Sequence, residues 1–334
     1  MFRPISLLLV VLAAMQSHSF AAEGAKVATY YGYDDCIQLA NEHVRVTLCP
    51  AAGGRVLEYS LDGKNVLYLP KGNEGWRYKP GDESSANGVS MDAGRFDIGP
   101  EKVVKRGPLL WMGAWKGEVT GDRSAKLTSQ TDPMSGVQLT RTFELANDSS
   151  HLICTQTIHN VSKSPVSLCH WSRTFAVGSG IAVVPRTPNG RFPNGYVMYT
   201  DGRNINIVPE DPNVLVTDSD VVVKAAPKFP KLGCDSMSGI LSYFAPTNQL
   251  FVKRFRTYPD RAYNEVAGLT ISIWYPKDRD TVEVEPIGPA ENLEPGETGS
   301  FTEEWWLLDQ EFPKGDVNLK ELNAIVEEKT KKPR

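Results

Sequence analysis

Two glutamates alternate with two valines near the C-terminal end of the chain, where residues 281–286 read T-V-E-V-E-P. Successive side chains of a β-strand point to opposite faces, so Val282 and Val284 share one face while Glu283 and Glu285 share the other. A strand that buries its valines can therefore present paired acids to a ligand, and a positioned carboxylate can act as a general base. A solvated or salt-bridged strand shows the same pattern, and we favour that interpretation for Glu283.

His170 is a second side chain that could transfer protons, and it lies in residues 169–173, which read C-H-W-S-R. In a regular strand His170 shares a face with the apolar Leu168 and lies at the edge of the core, whereas a bulge would turn it to the opposite face. Trp171 and Arg173 share that opposite face. An arginine in this position could hydrogen-bond hydroxyl groups or an acidic ligand.

Three further candidates lie in stretches with weak strand character, residues 70–115 and 185–213. Arg95 could contact a ligand or simply pair with a neighbouring aspartate. Trp111 could stack on the apolar face of a ring-shaped ligand, although tryptophan is more often a core residue. Arg191 could line the rim of a binding site or remain a solvated loop charge. Long irregular segments in compact domains are usually functional, which keeps all three as candidates.

Strand patterns dominate the rest of the chain and would have to position these residues. Apolar and polar residues alternate in residues 43–48, 137–143 and 269–274, and turn dipeptides such as Asp62-Gly63 and Pro295-Gly296 separate the runs. Many short strands with regular turns and almost no helix predict an all-β fold, a sandwich or a barrel.

One helix is predicted, at the C-terminus. Asp316 can serve as its N-cap, and four apolar residues recur with helical spacing on one face of it. These four are Leu319, Leu322, Ile325 and Val326.

Residues 1–21 are typical of a leader peptide. Arg3 supplies a positive charge, a short apolar run follows, and residues 19–21 read S-F-A, so we expect cleavage after Ala21, with cleavage after Ala22 as the alternative. The run is too short to span a membrane. The prediction is therefore an exported chain, periplasmic or secreted, without a membrane span. Its formal net charge of −4 and the lack of a basic stripe argue against a nucleic-acid partner.

Five cysteines, Cys36, Cys49, Cys154, Cys169 and Cys234, show no C-x-x-C or other metal-binding spacing. Export would permit disulfides, and neighbouring strands could bring together Cys36 with Cys49 and Cys154 with Cys169. Small buried thiols are the alternative. The odd number leaves at least one thiol free.

Four local patterns, in order along the chain, resemble the galactose mutarotase-like (aldose 1-epimerase) superfamily. Residues 53–67 resemble its Gly-rich opening hairpin, and residues 94–96, G-R-F, resemble the segment whose arginine contacts sugar. Residues 160–170 resemble the turn and strand that lead to its catalytic histidine. The V-E-P of residues 284–286 and the L-E-P-G-E of residues 293–297 resemble the strand with its catalytic glutamate and the following turn.

The resemblance covers most of residues 36–310, is nearest to uncharacterised exported bacterial relatives, and implies a large antiparallel β-sandwich that holds a pyranose on its concave face. It implies His170 as the general acid on the ring oxygen, Glu285 as the general base on the anomeric hydroxyl and Arg95 as a sugar-binding residue. Opening a hemiacetal needs one proton removed and one delivered, so no cofactor and no metal are expected. With a sugar as the ligand, further binding candidates are Trp111, Trp171, Arg173 and Arg191.

The chain departs from the epimerase pattern at one catalytic position. Epimerases carry a second histidine in a His-Gly-Gly context, but residues 109–115 here read L-L-W-M-G-A-W. We therefore expect residues 22–334 to form a single carbohydrate-binding sandwich domain, with a divergent sugar isomerase as the catalytic form of this hypothesis. A non-catalytic binding protein or a purely structural sandwich is the alternative.

Overall fold

The computed structural model describes residues 24–81, 91–101, 103–105, 107–188, 190–200 and 204–331. The predicted leader, residues 1–21, lies outside the described residues. None of the helices in the described part of the chain is long and apolar enough to cross a membrane.

Strands make up most of the regular structure. The first eleven are β1 (Gly24–Tyr30), β2 (Tyr33–Ala40), β3 (Val44–Cys49), β4 (Arg55–Leu61), β5 (Lys64–Asn65), β6 (Gly94–Gly99), β7 (Lys116–Gly121), β8 (Ser124–Thr128), β9 (Val137–Leu145), β10 (Leu152–Asn160) and β11 (Val166–Val177). The others are β12 (Ile181–Pro185), β13 (Val197–Tyr199), β14 (Ile205–Asn206), β15 (Val214–Val216), β16 (Asp220–Val223), β17 (Lys231–Cys234), β18 (Ile240–Ala245), β19 (Gln249–Phe255), β20 (Ile271–Trp274), β21 (Thr281–Leu293) and β22 (Thr298–Asp309). The helices are α1 (Pro108–Trp111) and α2 (Leu319–Lys329), with a 3₁₀ turn at Val266–Gly268.

Two antiparallel sheets contain all of these strands. The large sheet has the order β1-β2-β3-β4-β6-β11-β21-β20-β17-β13-β14, and β5 pairs with β4 at its side. The small sheet has the order β15-β16-β12-β18-β19-β22-β10-β9-β8-β7. The prediction of a large antiparallel β-sandwich with a short C-terminal helix is therefore confirmed.

Burial patterns distinguish the strands of the two sheets. In β10 of the small sheet, buried and half-buried residues alternate strictly, because one face meets the core and the other meets solvent. In β6, β11 and β21, at the centre of the large sheet, nearly every residue is buried. These three strands therefore have two covered faces: an inner face toward the small sheet and an outer face covered by other parts of the chain.

The outer face of the large sheet is partly covered by apolar residues of the connecting segments. Trp171 and Ile287 of the sheet form a cluster there with Val197 and Leu269, and the half-buried Phe192 packs against it. The stretch of residues 185–213, predicted to be irregular, thus contributes short strands and loops that pack against the outer face.

Helix α2 covers the outer face of the small sheet. Leu322 and Val326 are buried in a cluster with sheet residues such as Phe244 and Trp306. The predicted N-cap, Asp316, is wrong: the side chain of Asn318 caps the helix by accepting a hydrogen bond from the backbone N–H of Glu321 at 3.3 Å. Asn318 immediately precedes the first helical residue, which is the position where a side-chain oxygen reaches the free N–H groups of the first turn.

All five cysteines are buried free thiols. Burial raises the pKa of the Cys169 and Cys234 thiols above the ordinary value, since the apolar surroundings disfavour the thiolate. The structure therefore corresponds to the alternative of buried thiols rather than to either disulfide pair.

Candidate functional site

The strand register brings a row of polar side chains together on the outer face of the large sheet. Arg95 of β6 lies opposite Arg173 of β11, and Glu285 of β21 lies opposite Ser272 of β20. Thr174 of β11 pairs with Val284 of β21, so the next residues along, Arg173 and Glu285, also face each other. We call the group of Arg95, Asp97, Arg173, Glu283 and Glu285 the charged cluster.

Arg173 is the centre of the charged cluster. Its Nε lies 2.7 Å from Oε1 of Glu283 and its Nη2 lies 3.0 Å from Oε2, a bidentate ion pair. Burial alone would raise the pKa of Glu283, but the charge and hydrogen bonds of Arg173 outweigh burial and hold it below the ordinary value. Glu283 is therefore ionised and held in place.

Glu285 lies two residues further along the same strand and behaves differently. It is fully buried, and the Nε of Arg173 is 3.7 Å from its Oε2, too far for a hydrogen bond. Burial, followed by the negative charge of Glu283, raises the pKa of Glu285 to about 8. Protonated Glu285 can also share its proton with the Glu283 carboxylate, which favours the neutral form further.

Arg95 is a buried guanidinium without a hydrogen bond to any described residue. Its Nη2 lies 3.7 Å from Oδ2 of Asp97, and its Nε has no partner. It is held instead over the rings of Trp111 and Phe175, at 4.9 Å and 5.8 Å from their centroids. Burial, together with the positive charge of Arg173, lowers the pKa of Arg95 to about 9.

Trp171 lies beside the charged cluster and also has an unused donor. Its indole is fully buried, and its Nε1 has no hydrogen-bond partner among the described residues. Arg173 lies over one part of the ring at 5.0 Å, and the ammonium of Lys231 lies 5.0 Å from the same centroid. Lys231 is paired in turn with Glu101 at 2.8 Å.

The short helix α1 brings Trp111 to the cluster through the glycine pair that precedes β4. Gly53 and Gly54 both have positive φ, and a Cβ on Gly53 would overlap the backbone oxygen of Trp111. Arg55 is fully buried and donates from Nη1 to that same oxygen and to the carbonyl of Ala52. The Gly-Gly-Arg run thus anchors the segment that carries Trp111.

His170 does not belong to this site, so the prediction that it faces Glu285 across one binding site is wrong. It is fully buried on the inner face, where its ring stacks on Phe96 and its Nε2 lies 3.0 Å from the carbonyl oxygen of Gly299. Burial lowers its pKa to about 4, so the ring is neutral near pH 7. The physical reason is strand alternation: a register shift does occur beside His170, but the extra residue belongs to β21, so β11 keeps its regular facing.

Arg191 also lies apart from the cluster. Its backbone N–H donates to Oδ2 of Asp235 at 2.7 Å, and its guanidinium contacts the same carboxylate and the backbone oxygen of Gly268. No contact among the described residues joins it to Arg95, Arg173 or Glu285. These contacts hold the loop that carries Arg191 close to the 3₁₀ turn at Val266–Gly268.

Of the seven predicted site residues, the structure brings five together on the outer face. These are Arg95, Trp111, Trp171, Arg173 and Glu285. Two members of the charged cluster were not predicted, Glu283 and Asp97. Alternation did place Glu283 on the face of Glu285, where we favoured an ordinary solvated or salt-bridged strand residue. Asp97 lies two positions from Arg95 on β6, so alternation could have placed it beside Arg95.

Known proteins with similar structures share this sandwich. A galactose mutarotase-like protein from Lactobacillus casei ATCC 334 superposes with a TM-score of 0.56 at 10% identity, over 82% of this chain and all, 100%, of that one. A galactose mutarotase-like protein from Clostridium acetobutylicum gives 0.55 at 14% identity, over 86% and 98% of the two chains. A galactose mutarotase related enzyme from Lactobacillus acidophilus gives 0.52 at 10% identity, over 84% and 100%.

The sequence itself has no comparable match. No protein-family model matches the chain. A search of curated proteins finds no match either. The class defined by the structure is thus a two-sheet antiparallel β-sandwich with a charged cluster on the outer face of its large sheet. At such low identity the structural similarity shows the fold alone, and that fold is the galactose mutarotase-like one.

Proposed function

We propose that the chain binds a carbohydrate at the charged cluster. The observation that carries this proposal is a pair of buried donors on the same face of the sheet, Arg95 Nε and Trp171 Nε1, for which the described residues provide no hydrogen-bond partner. A buried polar group without a partner costs about 1–3 kcal/mol, so such groups are rare unless a ligand or water completes them. Sugar hydroxyls would complete both donors.

The other groups of the site match the chemistry of a sugar. Arginine and indole N–H groups only donate, whereas the protonated carboxyl of Glu285 can donate or accept. A hydroxyl does both, so one pyranose could satisfy all three groups. Trp111 and Trp274 are half-buried beside the cluster and could stack on the apolar face of the ring. The names of the similar structures, which refer to galactose mutarotase, support a sugar as the ligand.

Proton transfer is a second candidate function, and the contrast between Glu283 and Glu285 favours it. Neighbouring carboxyl groups whose pKa values are pushed in opposite directions are typical of acid–base sites. Glu285, with a pKa near neutral pH, could remove and return the proton of an anomeric hydroxyl. Because His170 lies on the inner face, another group would have to donate the proton to the ring oxygen of the sugar. Polarimetry on freshly dissolved aldoses, with Glu285→Gln as the comparison, tests this candidate.

We further propose that binding takes place outside the cytoplasm, in the periplasm or the medium. The support is the leader-like sequence of residues 1–21, with its basic start, apolar run and small residues before Ala22.

Calorimetry with a panel of mono- and oligosaccharides tests the binding proposal. The variant is Arg95→Met, which keeps most of the apolar contact with Trp111 but removes the unused donors. A hydrogen bond to a charged group contributes about 1.5–3 kcal/mol, so we expect the affinity to fall about 10- to 100-fold. The matched control is Arg123→Met, next to β8 in the small sheet, which should leave the affinity unchanged.

Two results would contradict the proposal. One is a panel in which no carbohydrate binds the wild-type protein. The other is a sugar whose affinity is the same for wild type and a folded Arg95→Met variant.

A further inference from the structure

A fully buried lysine lies directly beneath the charged cluster, on the inner side of the large sheet. Lys253 belongs to β19 of the small sheet and is 1% exposed. Its ammonium reaches across the sandwich and donates to Oγ of Ser172 at 3.1 Å, Oγ1 of Thr174 at 2.7 Å and the backbone oxygen of Val284 at 3.2 Å.

These three acceptors flank the site residues in sequence. Ser172 and Thr174 are the neighbours of Arg173 on β11, and Val284 lies between Glu283 and Glu285 on β21. Because side chains alternate, the lysine contacts the inner faces of the two strands while the cluster occupies their outer faces. One ammonium therefore connects the two strands that carry Arg173 and both glutamates.

The lysine is itself fixed by a buried acid. Its Nζ lies 3.1 Å from Oε2 of Glu303, which is fully buried. Glu303 also accepts hydrogen bonds from Nε2 of Gln156 at 2.7 Å and from the indole of Trp305 at 3.0 Å. The ammonium is thus anchored to two strands of the small sheet, β10 and β22, in addition to its own.

Stability alone does not explain this arrangement. Replacing a buried ion pair by apolar groups of similar size is often neutral or stabilising, since desolvation of two charges offsets their attraction. The lysine adds what an apolar residue could not, namely directional hydrogen bonds to defined atoms of β11 and β21. The backbone pairing of β11 with β21 already sets their spacing, and the lysine adds a tie that holds both strands in place relative to the small sheet.

We propose that Lys253 is a positioning residue of the outer-face site: it anchors the paired strands β11 and β21 to the small sheet from the interior and thereby steadies the geometry of Arg173, Glu283 and Glu285. This inference rests on the proposed function only in taking these three residues as ligand-binding groups. It assigns a role in the site to a residue that lies on the opposite side of the large sheet from the charged cluster.

The test is a pH titration of the glutamate carboxyl groups by ¹³C NMR in the full chain without any sugar. The variant combines Lys253→Met with Glu303→Gln, which removes both charges of this buried pair together. Glu285→Gln identifies the Glu285 resonance. The charged and titratable groups around Glu285 include Glu283, Arg173, Lys231 and Tyr199, and the variant alters none of these.

We expect the titration midpoints of Glu283 and Glu285 to move toward each other by at least one pH unit in the variant, because the Arg173–Glu283 pair loses its fixed geometry. The matched control is Arg45→Met with Glu58→Gln, another ion pair with a buried acid, at 2.6 Å between β3 and β4. It should lower stability and leave both midpoints unchanged.

Unchanged midpoints in a folded Lys253→Met, Glu303→Gln variant would overturn the proposal. If that variant does not fold, Ser172→Ala with Thr174→Val removes two acceptors and keeps the ion pair, and unchanged midpoints there overturn it equally. Because no sugar is present, a failure of sugar binding contradicts the proposed function without affecting this result.

Discussion

Glu283 and Glu285 share a strand, a face and a residue type, yet their environments give them different chemistry. Arg173 forms two hydrogen bonds with Glu283 and none with Glu285. Burial therefore dominates at Glu285 and raises its pKa to about 8. Of the two, Glu285 is the carboxyl that can exchange a proton near neutral pH.

The raised pKa of Glu285 predicts how stability depends on pH. Between its ordinary value of 4.5 and about 8, the folded state holds a proton that the unfolded state has lost. Stability must therefore fall as pH rises through this window, by up to ~1.4 kcal/mol per pH unit from this group. We expect Glu285→Gln to remove that part of the slope, as measured by urea unfolding at several values from pH 5 to pH 8.

The exposed Glu294 provides the control, since Glu294→Gln should leave the profile parallel to that of the wild type. A Glu285→Gln profile that also runs parallel to the wild type would mean that Glu285 is ionised throughout this range.

For single residues, the sequence predicted which face of the sheet a side chain occupies better than it predicted the function of that side chain. Alternation correctly assigned Glu283 and Glu285 to the face opposite the valines, and it also indicated that His170 belongs to the core edge. The catalytic role of His170 came from the family resemblance, and the structure places its ring inside the sandwich. The bidentate Arg173–Glu283 pair could not be predicted, because it depends on the register between two strands more than a hundred residues apart.

Among the elements, the glycine pair before β4 shows how a local motif positions a distant residue. Gly53 has φ +64°, and an added Cβ there would collide with the backbone oxygen of Trp111. We expect Gly53→Ala to lose more than the ~1–2 kcal/mol that a left-handed alanine costs, since α1 must also shift. It should weaken sugar binding as well, because Trp111 and Arg95 lie in contact.

Gly63 offers a matched comparison for this substitution. Its φ is +74° and a Cβ there would meet nothing within 4 Å, so Gly63→Ala has the backbone strain without the collision. Urea unfolding and sugar calorimetry on both variants provide the measurement. Equal losses of stability, with equal affinity, would show that Gly53 does not position Trp111.

A substitution in helix α2 should lower the stability of the protein without weakening sugar binding. Leu322 is buried against the outer face of the small sheet, on the far side of the molecule from the charged cluster. Leu322→Ala should lower the free energy of unfolding by about 2–5 kcal/mol. The sugar affinity of the folded variant should be unchanged by calorimetry.

The exposed Asn323 on the same helix is the control, and Asn323→Ala should leave stability nearly unchanged. A large loss of sugar affinity in folded Leu322→Ala would contradict the separation of α2 from the site.

Elements were predicted well where pattern alone decides them. The alternation of residues 137–143 corresponds to β9, and the apolar stripe of the C-terminal helix corresponds to α2. The cap was misplaced by two residues because Asp316 and Asn318 are both good caps in sequence. The strand β6 lay within a stretch predicted to be irregular, although its residues 95–98 alternate polar and apolar between Gly94 and Gly99.

For the whole molecule, the two sheets and their order depend on pairings between distant strands, and no local pattern encodes them.

The predicted leader remains a prediction. Intact mass or N-terminal sequencing of protein from the exported fraction should give Ala22 as the first residue, because the small residues before it suit a signal peptidase. Soluble exported protein that retains residues 1–21 would contradict export by this leader.

The central claim, that the outer face of the large sheet binds a carbohydrate, is tested most directly at Trp171. Its buried indole N–H has no partner in the described part of the chain, whereas that of Trp305 donates to Glu303 at 3.0 Å. Protein labelled with ¹⁵N at tryptophan can be titrated with D-galactose and with the carbohydrate panel, and Trp171→Phe identifies the Trp171 resonance.

The expected result is that the bound carbohydrate shifts the Trp171 indole resonance, because a sugar oxygen accepts its hydrogen bond, while the Trp305 resonance stays in place. A panel in which no carbohydrate moves the Trp171 resonance would contradict the claim.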